Sequence, residues 1–240
     1  MSERFADRVV VVAGGTGGLG RAVSLAFLRD GARVLVTFRK QAEFDVLKSA
    51  TQGSASRLDG RQVDVTDEAS VGVLLGDALQ RHGRLDALVN AVGGYSGGVP
   101  LWEQEIKVLD EMLALNLRAS YVLSRAAVRV MLKQRYGAIV NVAAQAALDH
   151  PAGAAAYAAS KAAAVALLGS LAAELNGTGV RVNSILPSII DTEANRRAMP
   201  KADFAKWPKP EDIARVVLFL CGDDAQAVHG AAIPVYGNNP

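Results

Sequence analysis

Tyr157 and Lys161 stand four residues apart in Tyr157-Ala-Ala-Ser-Lys161, at the start of a strongly helical stretch, residues 155–175. That spacing sets both side chains on one face of a helix. A neighbouring ammonium favours phenolate and is expected to lower the Tyr157 pKa from about 10. A phenol tuned in this way is a proton donor near neutral pH. The pattern alone recurs on ordinary helix surfaces, so its meaning rests on what else the chain carries.

The second motif is Ala13-Gly14-Gly15-Thr16-Gly17-Gly18-Leu19-Gly20, directly after an apolar run. Glycines let the backbone turn tightly and let a pyrophosphate approach a helix N-terminus. Gly14, Thr16, Gly18, Leu19 and Gly20 are therefore candidate dinucleotide contacts. The spacing is looser than the common fingerprint, and a structural turn is the plainer alternative. At the end of the second strand the chain reads Thr37-Phe38-Arg39-Lys40. No carboxylate stands there to accept from a ribose 2′-hydroxyl, whereas two cations can face a 2′-phosphate. NADP(H) is expected over NAD(H), through Arg39, unless Arg39 and Lys40 are ordinary solvated charges.

These residues need elements to position them. β-Branched runs at residues 9–12, 33–38, 63–65, 85–90, 138–142, 180–186 and 231–235 read as seven strands. Helical patterns fill the gaps, most clearly residues 18–29, 102–134, 155–175 and 211–221. Apolar strands alternating with helices imply a parallel sheet covered on both faces. The expected fold class is α/β, a doubly wound Rossmann fold with a seven-stranded parallel sheet, in one domain spanning residues 1–240. Residues 188–208 are the least regular stretch, with Pro200 and Trp207, and read as a substrate lid. Trp207 reads as a hydrophobic clasp for that lid or a wall of the substrate pocket, the clasp preferred.

At 240 residues and 50% hydrophobic, the chain can bury one large core. A net charge of +2, with no basic run, argues against a nucleic-acid partner. The first residues lead straight into a strand, so no secretory signal is expected. The Ala-rich stretch from Ala152 to Ala173 is interrupted by Lys161, which argues against a membrane span. Cys221 is the one cysteine and is expected to be a buried hydrophobe. With no disulfide possible, a cytoplasmic setting is expected. Three scattered histidines and one cysteine offer no metal-ligand spacing, so no metal is expected. His82 and His229 read as solvent-facing, His150 as a loop residue.

The ordered set Gly14/Gly18/Gly20, Asn90, Asn116, Tyr157/Lys161 and 187–192 resembles the short-chain dehydrogenase/reductase family over essentially the whole chain. The resemblance implies that Tyr157, Lys161 and Asn116 are catalytic. Tyr157 would be the acid. Lys161 would bind the nicotinamide ribose, and Asn116 would hold a water linked to Lys161. It implies that Asp64 and Val65 flank the adenine, and that Asn90, Ala91 and Gly93 line the adenosine ribose. Pro187, Ile190 and Thr192 would lie along the nicotinamide and pyrophosphate. It also implies a small-molecule substrate and a homodimer or homotetramer paired through the long central helices.

Two positions depart from the family pattern. Its Asn-Asn-Ala-Gly-like motif reads Asn90-Ala91-Val92-Gly93. Its Ser, thirteen positions before the Tyr, is Ala144. Losing one oxyanion donor typically costs about a hundred- to a thousandfold in rate. Three readings stand open: lost catalysis, leaving a nucleotide-binding protein; donation by Gln145; or an acceptor reactive enough to need no Ser. Dihydropteridine reductases, which also carry Ala there, resemble this chain at residues 92–98, 143–149 and 191–207. A flat activated acceptor such as quinonoid dihydropterin is expected, with a carbonyl or 3-oxoacyl substrate as the alternative. Tyr95 reads as a ring-stacking residue or a loop anchor.

Overall fold

The computed structural model describes residues 4–51 and 53–237. The strands are β1 (Val9–Ala13), β2 (Arg33–Phe38), β3 (Leu58–Gln62), β4 (Ala87–Asn90), β5 (Gly137–Val142), β6 (Val180–Pro187) and β7 (Ala232–Val235). Among the described residues they form one seven-stranded sheet in the order β3-β2-β1-β4-β5-β6-β7. Every adjacent pair is parallel. The chain reverses its direction of growth between β1 and β4. In an open parallel sheet that is the crevice where ligands bind, beyond the carboxyl ends of the strands.

Both sheet faces are apolar because β1 is valine throughout its first four positions. Val10 and Val12 pack into one core with Val23, Phe27, Ile213 and Val217. Those residues come from α1 (Gly18–Arg29) and α9 (Pro210–Cys221). Val11 and Ala13 pack into the opposite core with Leu74, Leu123 and Leu168. Those come from α3 (Glu68–His82), α5 (Ala119–Gln134) and α7 (Ala155–Glu174). Strand alternation thus serves two helix layers with one run of valines.

Three expectations are corrected. The third strand lies at Leu58–Gln62, before residues 63–65, although its sequence is Leu-Asp-Gly-Arg-Gln. It is an edge strand and only partly buried, so it needs no β-branched run. Gly60 serves it because a Cβ there would come within 2.6 Å of the Phe44 ring. Phe44 belongs to α2 (Gln41–Ser49) and stacks on Phe38. Second, residues 102–134 are not one helix. A 3-10 turn at Leu101–Glu103 precedes α4 (Ile106–Met112), and a π-helical segment, Leu113–Arg118, joins it to α5. Third, the irregular stretch carries a short helix and a 3-10 turn, described below.

α7 is long and apolar enough to cross a membrane, with mean hydropathy 1.4 over its apolar window, despite Lys161. Here it covers β6 and the π-helical segment, and it buries Ser160, Lys161 and Leu168. The opening residues 1–3, on which the reading of the N-terminus rests, lie outside the described residues.

Candidate active site

The turn after β1 is held by side chains as well as glycines. Gly14 N–H donates to Thr37 Oγ1 at 2.9 Å, and Gly17 N–H to Gly14 O at 3.1 Å. Ser24 Oγ, fully buried, donates to Gly20 O at 2.8 Å and lies 3.2 Å from Gly15 O. Gly14 has φ +73°, which L side chains rarely adopt. α1 starts with Gly17 at its N-cap and no side-chain cap. Its first N–H groups therefore face outward without an intrahelical partner, the arrangement that binds phosphate.

Around this turn lies an open cleft of about 670 Å³. Of the residues expected there, Gly14, Thr16, Arg39, Asp64, Val65, Ala91 and Gly93 line it. Asp64 accepts from Thr66 N at 2.9 Å and Thr66 Oγ1 at 2.7 Å, which holds its carboxyl below the usual range. Gly18, Leu19 and Gly20 form the helix start beneath the cleft. Thr192 reaches Gly18 from the end of β6: a Cβ at Gly18 would come within 2.7 Å of Thr192 Cγ2. Pro187 ends β6, and Ile190 follows it. These residues fit a dinucleotide.

Asn90 is a correction. Its side chain is buried and turned away from the cleft. Its Nδ2 donates to Asn141 Oδ1 at 2.9 Å and Ser120 Oγ at 3.0 Å. Its Oδ1 accepts from Val92 N at 3.1 Å. Asn90 shapes the 90–92 turn, and Ala91 and Gly93 reach the cleft in its place. Asn141 Nδ2 has no hydrogen-bond partner among the described residues. Flipping that amide would set two NH₂ groups against each other, because Val92 fixes the Asn90 orientation.

The catalytic candidates meet behind the cleft. Asn116 lies in the π-helical segment, and such segments often mark functional sites. Its Oδ1 accepts from Gly94 N at 3.0 Å. Its Nδ2 donates to Ser160 Oγ at 3.0 Å and Gly94 O at 3.1 Å. Lys161, buried, donates from Nζ to Val142 O at 3.0 Å. Gly93 separates the two: a Cβ on it would lie 2.9 Å from both Asn116 Oδ1 and Lys161 Nζ. Tyr157 is half-buried, with Tyr95 edge-on at 4.9 Å between ring centroids.

A glycine turn at the β1/β4 crevice, with Asn, Tyr and Lys gathered beside it, can now be set against known proteins. Residues 8–203 match the short chain dehydrogenase family. The chain belongs to that family. It is an oxidoreductase. The 3-oxoacyl-[acyl-carrier-protein] reductase of Thermotoga maritima is 30% identical over 98% of both chains. The 2-(S)-hydroxypropyl-CoM dehydrogenase 3 of Xanthobacter autotrophicus is 34% identical over 99% of this chain and 98% of its own. The solved structure of ElxO with NADP bound superposes with a TM-score of 0.90 at 26% identity, over 96% of this chain and 97% of that one.

Within this family member, proton affinities depart from the sequence-based expectation. Burial pushes the Tyr157 phenol up to about 12, and the Tyr95 phenol adds to the rise. Burial pushes Lys161 down to about 8. Desolvation decides both, because the Lys161 ammonium is held by a neutral carbonyl. At neutral pH Tyr157 keeps its proton and Lys161 stays mostly charged.

β5 ends at Val142, and Ala143 and Ala144, which follow it before α6 (Ala146–Asp149), are buried and offer no hydroxyl. Gln145 is fixed through its backbone, whose N–H donates to Pro187 O at 2.8 Å. The stretch expected as a lid is closed at its neck by Asp191 N–H to Pro208 O at 3.0 Å. Inside that neck, α8 (Glu193–Ala198) is capped by Thr192. Arg196 grips Asp191 through two bonds of 2.5 and 2.8 Å, and its guanidinium lies 4.9 Å from the Phe204 ring centroid. Phe204 packs on Trp207, which is buried.

Cys221 is buried, and burial pushes its thiol up to about 12. His229 is not a solvent-facing loop residue. Its Nδ1 accepts from Val182 N at 3.2 Å and its Nε2 lies 2.8 Å from Ala172 O, so it ties β6 to α7. Sequence reasoning missed Thr37, Ser24, Ser120 and Ser160, four small hydroxyl residues inside strands or helices. Nothing in their spacing marks them: Ser24 acts on carbonyls of the adjoining turn, and Thr37, Ser120 and Ser160 meet a backbone group or amide distant in the chain.

Proposed function

We propose that this chain is an NAD(P)(H)-dependent reductase, NADPH-preferring, that acts on a flat activated acceptor such as quinonoid dihydropterin. The observation that carries the reading is the missing hydroxyl: buried Ala143 and Ala144 follow β5 beside an intact Tyr157/Lys161/Asn116 set. An acceptor that develops little oxyanion needs a proton donor more than a second hydrogen bond. A bound NADPH supplies the hydride. Tyr157 gives the proton, since its phenol is fully protonated near neutral pH. Lys161 places a positive charge beneath the ribose position. Asn116 holds the 93–94 backbone and Ser160 in one arrangement. Arg39 and Lys40 line the cleft where a 2′-phosphate would lie, and the 188–208 segment covers the substrate. Tyr95, exposed and edge-on to Tyr157, forms an aromatic wall suited to a flat ring.

The chain acts as one domain, cytoplasmic, and as a homodimer or homotetramer. The outer face of α7 and exposed Tyr121 and Leu132 of α5 support pairing through those helices. The Thermotoga relative favours a second reading, a carbonyl or 3-oxoacyl reductase, with Ala144 as a weakened donor site. The test follows NADPH oxidation with quinonoid dihydropterin as acceptor, NADH in parallel. Turnover is expected with NADPH and is expected to drop about a thousandfold in Tyr157→Phe with cofactor binding retained. Ala144→Ser decides between substrates. A large rise in ketone reduction would favour the carbonyl reading, and no rise favours the activated acceptor.

A further inference from the structure

The cleft that faces Arg39 and Lys40 also contains a carboxylate that the end of β2 does not announce. Glu43 lies in the first turn of α2 and lines the same cleft as Thr16, Arg39 and Lys40. Its Oε2 accepts from Thr16 Oγ1 at 3.2 Å, which ties α2 to the glycine turn. Its Oε1 lies 4.0 Å from Lys40 Nζ. A hydroxyl of the glycine turn and a cation after β2 are the groups an adenosine 2′-phosphate would use. In this structure an internal carboxylate holds both.

We propose that Glu43 is a specificity-determining residue that occupies the anion position of the nucleotide cleft and weakens the selection of a 2′-phosphate by Arg39 and Lys40. The inference rests on the dinucleotide reading above and deepens it. A phosphate entering between Thr16 and Lys40 must displace the carboxylate or lie against it, and like charges at that range repel. A free ribose 2′-hydroxyl meets no such conflict, because it can donate to the carboxylate. Glu43 thus opposes NADPH and supports NADH, and the chain uses both cofactors with a narrower gap than its two cations alone would set. Because Glu43 and Lys40 are largely solvated, the effect is modest and grows as salt is lowered.

The experiment measures Kd for NADPH and NADH by nicotinamide fluorescence, in the wild-type chain and in Glu43→Gln, at low and at physiological ionic strength. Gln keeps the size of the side chain and removes its charge. The ratio of the NADH Kd to the NADPH Kd is expected to rise about fivefold in the variant at low salt, and less at physiological salt. A loss of structure at α2 would move both constants in one direction and leave the ratio fixed, and that result would overturn the assignment. A falling ratio would also overturn it. If the wild-type chain binds neither dinucleotide, the cofactor reading fails and takes this inference with it. Binding of both with an unmoved ratio removes Glu43 alone.

Discussion

The two halves of this site are built from different materials. The nucleotide half, from β1 to β4, presents mostly backbone: Gly14, Gly18, Ala91 and the uncapped start of α1. Its charged side chains at the cleft are solvated, and its hydroxyl anchors, Thr37 and Ser24, serve main-chain atoms. The half proposed as catalytic, from the π-helical segment to α7, presents buried side chains. Asn116 donates to Ser160, and Lys161 donates to Val142 O beside them, all with their side chains buried. Backbone cradles tolerate change at the rim and fail when a Cβ intrudes. A buried network fails whenever one member is lost, because the partner left behind is unsatisfied.

A methyl group tests that contrast most directly. Gly93→Ala is expected to lower kcat/KM about a hundredfold, because its Cβ would displace the Lys161 ammonium or the Asn116 amide by a fraction of an ångström or more. Gly18→Ala, placed against Thr192, is expected to raise the cofactor Kd with a smaller change in kcat. Steady-state kinetics alongside cofactor titration separates the two. If Gly93→Ala acted through cofactor Kd alone, the division into halves would be wrong.

The interior network supplies the next effect. Ser120 Oγ accepts from Asn90 and lies 2.8 Å from Asn116 O and 3.1 Å from Asn141 Oδ1. Removal of Ser120 takes away the acceptor of one Asn90 N–H and the hydroxyl that reaches Asn116 O, so it strands a donor and weakens the hold on the π-helical segment. Ser120→Ala is expected to cost about 2 kcal/mol in urea unfolding. Thr16→Val, at the solvated rim, is expected to cost less than about 0.5 kcal/mol. Equal losses would show that the interior bonds carry no special weight.

The smallest effect is one of pH. Lys161 titrates near 8 in the folded chain against 10.5 for an ordinary lysine. Between those values the unfolded chain binds more protons, so stability rises with pH. Cys221 acts in the opposite sense above pH 9, since its folded thiol keeps a proton to about 12. The window free of that opposition is pH 8 to 9. Across it the cofactor-free wild type is expected to gain about 1 kcal/mol relative to Lys161→Met. Chemical denaturation at the two pH values checks this. Parallel behaviour of the two proteins would mean that the buried ammonium is better solvated than its surroundings imply.

Much of this was legible before any fold was known. The parallel α/β sheet follows from valine-rich strands between helical patterns, because a strand buried on both faces has no polar alternation to disguise it. The glycine turn and the Tyr157/Lys161 pair are local patterns, with all of their spacing inside one turn or one helix. Family resemblance added Asn116 and the residues from Pro187 to Thr192. Asn90 was misread because a cleft residue and a core residue at a strand end have the same local sequence. The third strand was misplaced because an edge strand beside Phe44 needs a glycine where propensity favours valine.

By itself, then, the sequence determined the layer architecture, the crevice-side glycine turn and the Tyr157/Lys161 pairing on one helix face, all of which depend on periodicity or short spacing. Only the tertiary structure decided that Asn90 supports the turn from inside, that Asn116 faces Gly94 and Ser160, that burial raises Tyr157 and lowers Lys161, and that Glu43 enters the nucleotide cleft. The physical reason is common to these cases. Desolvation and hydrogen bonding depend on which groups from distant elements meet, and contacts across 27 to 51 residues leave no period in the chain.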